Sequence, residues 1–294
     1  MKRTSDFAIA APKRSRRVKA PKVKTLDNAQ SHSAPFGANR IHYVTVGTGP
    51  HVLVFVHCWA GNLGFWREQI PAFADQARLV LLDLPSHGKS GKLPAAYTMD
   101  YFAGAVLAVM RHARVKKATL IGHSMGGPVS YCVYKQAPEK VAALVVVDGF
   151  LRRPAIAPEQ AEKFLAPFRA SEYREHTRQI FGPMFPVPGT EALRERVLSE
   201  MFATPQNVMS GAMEGMFAPN QPNWDLTQVK VPVLVLNAKG STWDADYENY
   251  VRSLSPQTDY RVMDGVGHWL MLERPAEFNA TLGEMLRKFD LIGK

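Results

Sequence analysis

The chain has 294 residues, of which 46% are hydrophobic and 21% charged, and this balance is typical of a globular protein with a full-sized core. Its two cysteines, Cys58 and Cys132, lie far apart and give no basis for a disulfide framework or a thiolate metal site. No apolar run approaches the roughly 20 residues that a membrane helix needs, so we expect no membrane span.

Most of the net charge of +10 lies at the N terminus, where residues 1–34 hold nine basic and two acidic residues, a net +7. This segment lacks apolar periodicity, which predicts a disordered basic tail. It is either an arm for nucleic acid or another anionic surface, or a solvated extension without a partner. The apolar residues 7–11 are too few for a secretory signal, so we expect a cytoplasmic protein.

From residue 40 onward, apolar runs of strand length alternate with helical patterns. Several of the runs lack polar alternation, which indicates strands that are buried on both faces of a parallel sheet. Together they predict an α/β fold with a mostly parallel, wound sheet flanked by helices. The predicted strands are 41–46, 51–56, 78–83, 118–123, 142–148, 231–237 and 259–264, and the predicted helices are 100–113, 125–136 and 275–290.

Residues 151–227 interrupt this alternation with helical segments, many prolines and a cluster of Met and Phe. We interpret them as a helical cap inserted into a core formed by residues 35–150 and 228–294. Because Met is flexible and polarizable, a Met/Phe surface suits an adaptable apolar pocket, although each of these residues is equally suited to packing the cap on the core. The cluster comprises Met184, Phe185, Met201, Phe202, Met209, Met213, Met216 and Phe217.

The sequence Gly-His-Ser-Met-Gly-Gly at residues 122–127 follows a predicted strand and precedes a predicted helix. A serine on such a sharp turn has a strained backbone, and the glycines at 122 and 126 leave room for the turn to close. Its hydroxyl would lie at the start of a helix, where N–H groups favour developing negative charge. The pattern predicts that Ser124 is a nucleophile.

With this turn in place, the chain resembles the α/β-hydrolase family over residues 40–290. Residues 56–62, Val-His-Cys-Trp-Ala-Gly-Asn, are similar to the family's His-Gly-x-x-Gly loop. Residues 83–90 are similar to its Asp-x-Pro-Gly-x-Gly-x-Ser loop, and residues 265–270 to the loop that carries its catalytic histidine. There are two departures, because Cys58 and Ser86 occupy positions where the family usually has glycine.

The resemblance implies roles for four groups. Ser124 would attack a carbonyl carbon while His268 takes the serine proton, a task for which an imidazole is the usual side chain. The backbone N–H groups of Trp59 and Met125 would form the oxyanion hole. His57 more plausibly braces the backbone of its loop, and Cys58 is expected to be a small buried thiol rather than a nucleophile.

The acid that orients His268 is left open between two aspartates. The family's usual acid follows the strand at 231–237, but this chain has Gly240 and Ser241 there, with Asp244 only a few residues later. Asp244 is also a suitable N-cap for the next helix. The other candidate is Asp148, which closes the preceding strand, where some members of the family, haloalkane dehalogenase-like enzymes among them, carry the acid.

These features predict a serine hydrolase that cleaves an ester or related acyl compound through an acyl-enzyme. The resemblance implies no metal or organic cofactor, and the cap suggests a small apolar acyl substrate. We expect no nucleic-acid binding from the core, and the sequence does not define the oligomeric state. Two alternatives remain: a C–C bond hydrolase or cofactor-free haloperoxidase on the same fold, or a ligand receptor with slow turnover.

Overall fold

The computed structural model describes residues 24–153, 156–219, 226–227, 229–240 and 243–293. Its centre is one eight-stranded sheet with the strand order β1-β2-β4-β3-β5-β6-β7-β8. Strand β2 pairs antiparallel with β1 and β4, and every other neighbouring pair is parallel. The strands are β1 (Gln30–Phe36), β2 (Asn39–Val46), β3 (Val52–Val56), β4 (Arg78–Leu82), β5 (Ala118–His123), β6 (Val141–Val147), β7 (Val233–Ala238) and β8 (Thr258–Met263).

Helices connect these strands and cover the sheet, as the sequence predicts for a wound α/β fold. Short 3₁₀ turns lie at Leu26–Asn28, Leu63–Gln69, Pro138–Lys140 and Gly182–Met184. The α-helices are α1 (Ile70–Phe73), α2 (Met99–His112), α3 (Gly126–Gln136), α4 (Pro158–Arg169), α5 (Tyr173–Phe181), α6 (Glu191–Met201), α7 (Gln206–Phe217), α8 (Ala245–Leu254), α9 (Leu270–Glu273) and α10 (Pro275–Lys288).

The continuous apolar runs of the sequence form the middle of the sheet. Every residue of β5 and β7 is buried, and β6 has one residue that is not fully buried. Strands covered on both faces remove apolar surface from contact with water, and this burial stabilises the fold by roughly 25 cal/mol per Å². The need for apolar side chains on both faces explains why these segments lack polar alternation. Because β3 to β8 are parallel, their carboxyl ends share one edge of the sheet, and loops from several strands meet there.

Four helices, α4 to α7, lie between β6 and β7 in the segment where the sequence predicts a helical insertion. The Trp59 side chain in the core donates a hydrogen bond to the carbonyl of Met209 in α7 at 2.7 Å. Arg67 forms an ion pair with Glu200 in α6 at 2.9 Å. These contacts fix the inserted helices over the loops at the carboxyl edge of the sheet.

The prediction that residues 1–34 are a disordered tail is wrong for the part that the structure describes. Residues 26–28 form a 3₁₀ turn, and Gln30–Phe36 form the edge strand β1, paired with β2 in continuous register. The composition does not indicate this strand, because β1 has four polar residues that are fully or partly exposed, which is typical of an edge strand with one partner. Residues 1–23, with most of the basic charge, lie outside the described residues.

Candidate active site

Ser124 occupies the turn between β5 and α3, at the carboxyl edge of the sheet. Its φ of 52° is in the left-handed region, which is strained for a serine. A Cβ at Gly122 would collide with the backbone of Gly126, and one at Gly126 would collide with the carbonyl of Val56. The glycines are therefore a steric requirement of the turn, and the turn holds the Ser124 side chain at a partly exposed position.

Asp148 and His268 meet across the ends of β6 and β8. The Nδ1 atom of His268 lies 2.6 Å from Oδ2 of Asp148, and the two side chains are 14% and 8% exposed. The other carboxylate oxygen, Oδ1, accepts hydrogen bonds from the backbone N–H of Ala238 and the indole N–H of Trp243, both at 2.8 Å. Three donors therefore fix the carboxylate, and its contact with Nδ1 leaves Nε2 of His268 as the proton-accepting nitrogen.

Asp244, the competing candidate for the acid, is used differently. Its carboxylate accepts the backbone N–H of Tyr247 at 2.9 Å and caps the N terminus of α8. Ser241, which stands near the family's usual acid position, lies outside the described residues. Of the two sequence candidates, the structure brings Asp148 to His268 and places Asp244 at a helix cap.

Two backbone hydrogen bonds hold the loop that carries His268, one to the inserted segment and one to helix α9. The backbone N–H of His268 donates to the carbonyl of Met184 at 3.1 Å, and a Cβ at Gly267 would collide with that carbonyl. The backbone N–H of Gly267 donates to the carboxylate of Glu273 at 3.1 Å. Burial raises the pKa of Glu273, whereas the hydrogen bond from Gly267 acts in the opposite direction.

His123, the residue before Ser124, contacts His268 directly. The two ring centroids are 4.6 Å apart, and Nε2 of His123 donates to the backbone carbonyl of His268 at 2.8 Å. Burial, together with the neighbouring His268, holds the pKa of His123 well below its ordinary value, so this imidazole is neutral. The nucleophile turn and the histidine loop are thereby joined through one side chain.

The two predicted oxyanion donors belong to the turn after β5 and to the loop after β3. Met125 is the N-cap residue of α3, and its backbone N–H, like that of Trp59, has no acceptor among the described parts of the chain. The His57 ring braces the Trp59 loop by contacting the carbonyl of Cys58 at 2.7 Å and accepting the N–H of Leu84 at 2.9 Å. Both amides are therefore available to a ligand oxygen.

The two departures from the family pattern leave the site intact. Cys58 is 2% exposed, and burial raises the pKa of its thiol to about 12, which keeps it protonated and unreactive at neutral pH. Ser86 has a φ of 67°, a left-handed conformation that explains why glycine suits the position. Its hydroxyl contacts the carbonyl of Leu93 and the hydroxyl of Tyr97, which holds the loop.

Aromatic side chains of the inserted segment cover the site. Trp59 stacks on Phe181 with a centroid distance of 5.1 Å, and Trp269 stacks on Phe185 at 4.5 Å. Aromatic pairs of this kind contribute roughly 0.5–1.5 kcal/mol each beyond burial. A cavity of about 330 Å³ opens beside the Asp148–His268 pair, and its apolar lining includes Phe150, Pro183, Met184, Pro186, Trp243 and Val266.

The described residues contain no group of three or more His, Cys, Asp or Glu side chains that could hold a metal ion. In the same part of the chain, no helix is both long and apolar enough to cross a membrane.

The chain is similar to a known protein family and to several known proteins. The profile of the alpha/beta hydrolase fold matches residues 51–275, so the chain belongs to the α/β-hydrolase family, which confirms the predicted resemblance and fold class. A thermophilic esterase from Thermogutta terrifontis has the same fold, with a TM-score of 0.77 and 24% identity over 89% of this chain and 99% of the esterase.

Two curated relatives illustrate the range of the family. The chain is 29% identical over 248 residues to the dihydrolipoyllysine-residue acetyltransferase component of the acetoin cleaving system of Pseudomonas putida, covering 82% of this chain. That match spans only 65% of the relative's own length. The chain is also 27% identical, over 85% of its length and 91% of the relative's, to a 2-hydroxy-6-oxononadienedioate/2-hydroxy-6-oxononatrienedioate hydrolase of Burkholderia vietnamiensis.

Sequence reasoning missed three groups that shape the site. Trp243 donates to Asp148, His123 contacts His268, and the carbonyl of Met184 accepts the N–H of His268. Only the position of Trp243 indicates its role in the sequence, because it lies in the loop where the family usually carries its acid. The other two contacts join residues distant in sequence, and no local pattern indicates them.

Proposed function

We propose that the chain is a serine hydrolase that cleaves a carboxylic ester or a related acyl compound through an acyl-enzyme. The observation that carries the proposal is the 2.6 Å contact between His268 and Asp148, beside the strained turn of Ser124. A neutral histidine that is oriented by a carboxylate is the base that a serine nucleophile needs.

In the proposed mechanism, Oγ of Ser124 attacks the acyl carbon while Nε2 of His268 takes its proton. The negative oxygen that forms is stabilised by the N–H groups of Trp59 and Met125, and loss of a single such donor costs roughly 2.7–4 kcal/mol in other enzymes. The leaving alcohol then takes the proton from His268. Water, activated by the same imidazole, hydrolyses the acyl-enzyme and restores Ser124.

The chemistry of the surroundings supports an apolar acyl substrate of modest size. The cavity beside Asp148 and His268 has a volume of about 330 Å³, at the lower end of the roughly 300–1,000 Å³ range of ligand pockets. Its lining is mainly aromatic and aliphatic. The stacked pairs Trp59–Phe181 and Trp269–Phe185 are buried, and a buried apolar surrounding strengthens electrostatic interactions.

The proposal is tested by hydrolysis of p-nitrophenyl esters from acetate to octanoate at neutral pH. We expect saturable turnover with an optimum at a short or medium acyl chain, because the cavity that His268 lines is small and mainly apolar. Absence of turnover on every ester would overturn the assignment, and a ligand screen would then test the receptor alternative.

A C–C bond hydrolase is the second candidate, and the relative from Burkholderia vietnamiensis favours it. The substrate in the name of that relative is a hydroxy-oxo dicarboxylate without an ester group, so its hydrolysis breaks a carbon–carbon bond. The same serine, histidine and aspartate could serve that reaction. Parallel assays with an ester and a vinylogous 1,5-diketone acid separate the two functions, because the proposal requires the ester to have the higher kcat/KM.

A further inference from the structure

A second chain of serine, histidine and aspartate lies on the edge of the sheet, away from Ser124. Oγ of Ser31 is 3.0 Å from Nε2 of His42, and Nδ1 of His42 is 2.7 Å from Oδ2 of Asp83. Ser31 lies on the edge strand β1 and His42 on its neighbour β2, while Asp83 follows β4. These three residues, the outer relay, have the connectivity of a nucleophile, a base and an orienting acid.

Asp83, the acid of the outer relay, is buried and held by several hydrogen bonds. Its side chain is 3% exposed, and it accepts the backbone N–H groups of Leu63 and Lys89 at 2.8 and 2.9 Å in addition to His42. Burial alone would raise the pKa of Asp83, but these hydrogen bonds outweigh it and hold that pKa below its ordinary value. The ionised carboxylate keeps the proton of His42 on Nδ1, so Nε2 accepts the hydrogen bond from Ser31.

The nucleophile of the outer relay faces a cavity rather than a packed interior. Ser31 is exposed, and it lines a cavity of about 590 Å³ together with His42 and Asp83. The charged side chains that also line this cavity are of both signs: Lys89 and Arg67, and Asp27 and Glu200. The opposite wall contains the ion pair of Arg67 and Glu200, which ties this wall to helix α6.

We propose that Ser31 is a second activated serine, which accepts an acyl group from an activated ester bound in this cavity. Oγ of Ser31 attacks the carbonyl carbon, and its proton passes to Nε2 of His42. The ester C–O bond breaks, and the departing aryl oxide takes the proton from His42, which leaves acyl-Ser31 and a phenol. Water hydrolyses the acyl-serine in a later step.

Acylation at Ser31 is expected to be slower than at Ser124. Ser31 lies within an extended strand, whereas Ser124 lies at the N terminus of helix α3. Oxyanion donors contribute roughly 10²- to 10³-fold in rate, and general-base assistance roughly 10²- to 10⁴-fold. The outer relay therefore has the base without a helix-based oxyanion hole, so it suits acceptance of a reactive acyl group more than rapid turnover.

The experiment uses the full chain with Ser124→Ala and a fluorophosphonate probe, which labels activated serines irreversibly. Modified residues are located by peptide mass spectrometry, and labelling rates are compared at Ser31 and Ser33. Ser33 is the matched reference because it lies on the same strand, but its hydroxyl accepts from Arg40 at 2.9 Å instead of facing an imidazole. We expect Ser31 to be labelled at least about tenfold faster than Ser33.

Two further variants complete the test in the Ser124→Ala background. His42→Gln should slow labelling of Ser31 at least about tenfold, and Ser33→Ala should leave labelling of Ser31 unchanged. Thermal melts verify that the variants fold, and the comparison of Ser31 with Ser33 within one protein stands without them. No labelling of Ser31, a rate equal to that of Ser33, or a rate unaffected in folded His42→Gln would each overturn the proposal.

Discussion

At the residue scale, the carboxylate of Asp148 divides its two oxygens between different tasks. Oδ2 contacts His268, while Oδ1 takes the N–H groups of Ala238 and Trp243. A carboxylate with three donors has little freedom to rotate, so it holds the imidazole in one orientation and one tautomer. In the proposed mechanism, Asp148 after β6 serves as the acid that the family usually carries after β7.

The first prediction compares the two aspartates that the sequence left open. Asp148→Asn should reduce kcat for ester hydrolysis by roughly 10⁴-fold, the size seen when a triad carboxylate is replaced. Asp244→Asn should stay within about twofold of the parent, because asparagine caps a helix as well as aspartate does. Steady-state kinetics of both variants test this, and the reverse ranking would move the acid to Asp244.

Trp243 is the subject of the second prediction. Trp243→Phe keeps an aromatic ring against Phe150 but removes the indole donor to Asp148. A hydrogen bond to a charged group contributes roughly 1.5–3 kcal/mol, so kcat/KM should fall by roughly 10- to 100-fold. Thermal melts of the same preparation separate this effect from loss of fold. An unchanged kcat/KM would show that the indole does not position the acid.

At the element scale, the turn from β5 to α3 requires close backbone approach. A Cβ at Gly122 would collide with the backbone of Gly126, which cannot move without displacing helix α3. The acid loop passes equally near, because a Cβ at Gly149 would lie 2.8 Å from the carbonyl oxygen of Ser124. The positions of Ser124 and Asp148 thus depend on glycines at these close approaches.

The third prediction follows from this crowding. Gly122→Ala should lower the free energy of unfolding by about 3 kcal/mol or more, since overpacked sites without room to relax lie at the upper end of the range. Gly182→Ala is the matched control, because no atom lies within 4 Å of an added Cβ at that position. Urea denaturation measures both, and equal stabilities would contradict the steric account.

The strands show which elements a sequence can predict. The predicted bounds of β3 to β8 agree with the observed bounds to within about two residues at either end, because continuous apolar character is a strong local signal. The sequence does not predict strand β1, because Gln30, Ser31, His32 and Ser33 are polar on both faces and show no apolar alternation. An edge strand pairs on one side only, so its hydrogen-bonded partner decides its conformation more than its composition does.

At the scale of the whole molecule, the candidate site is assembled from segments that are distant in sequence. Ser124, Asp148 and His268 follow three different strands, and the sequence could place each at the same sheet edge by order alone. The choice of Asp148 over Asp244 required the loop geometry after β7, which no local pattern encodes. The cover of Phe181 and Phe185 over Trp59 and Trp269 was equally hidden, because it depends on how the inserted helices pack.

Asp83 provides a prediction about the stability of the entire chain. Its hydrogen bonds hold its pKa below the ordinary value of 3.8, so the carboxylate contributes stability that is fully present above that value. The contribution is lost as the pH falls through the depressed folded-state pKa. Asp83→Asn should therefore be less stable by about 1–3 kcal/mol near pH 7 and pH 5.

Thermal and urea unfolding at several pH values test this dependence. The gap between the parent and Asp83→Asn should narrow only below the unfolded-state value of 3.8. A gap that narrows already between pH 7 and pH 5 would show that the carboxylate does not have a lowered pKa in the folded protein.

The most direct test of the central claim is ester hydrolysis by the parent chain and by Ser124→Ala. Because the nucleophile is removed while the fold remains, we expect kcat to fall by at least about a thousandfold, with p-nitrophenyl butyrate as the substrate. A mass increase from a trapped acyl group on Ser124 in the parent would accompany that result. Turnover of Ser124→Ala close to that of the parent would contradict the assignment of Ser124 as the nucleophile.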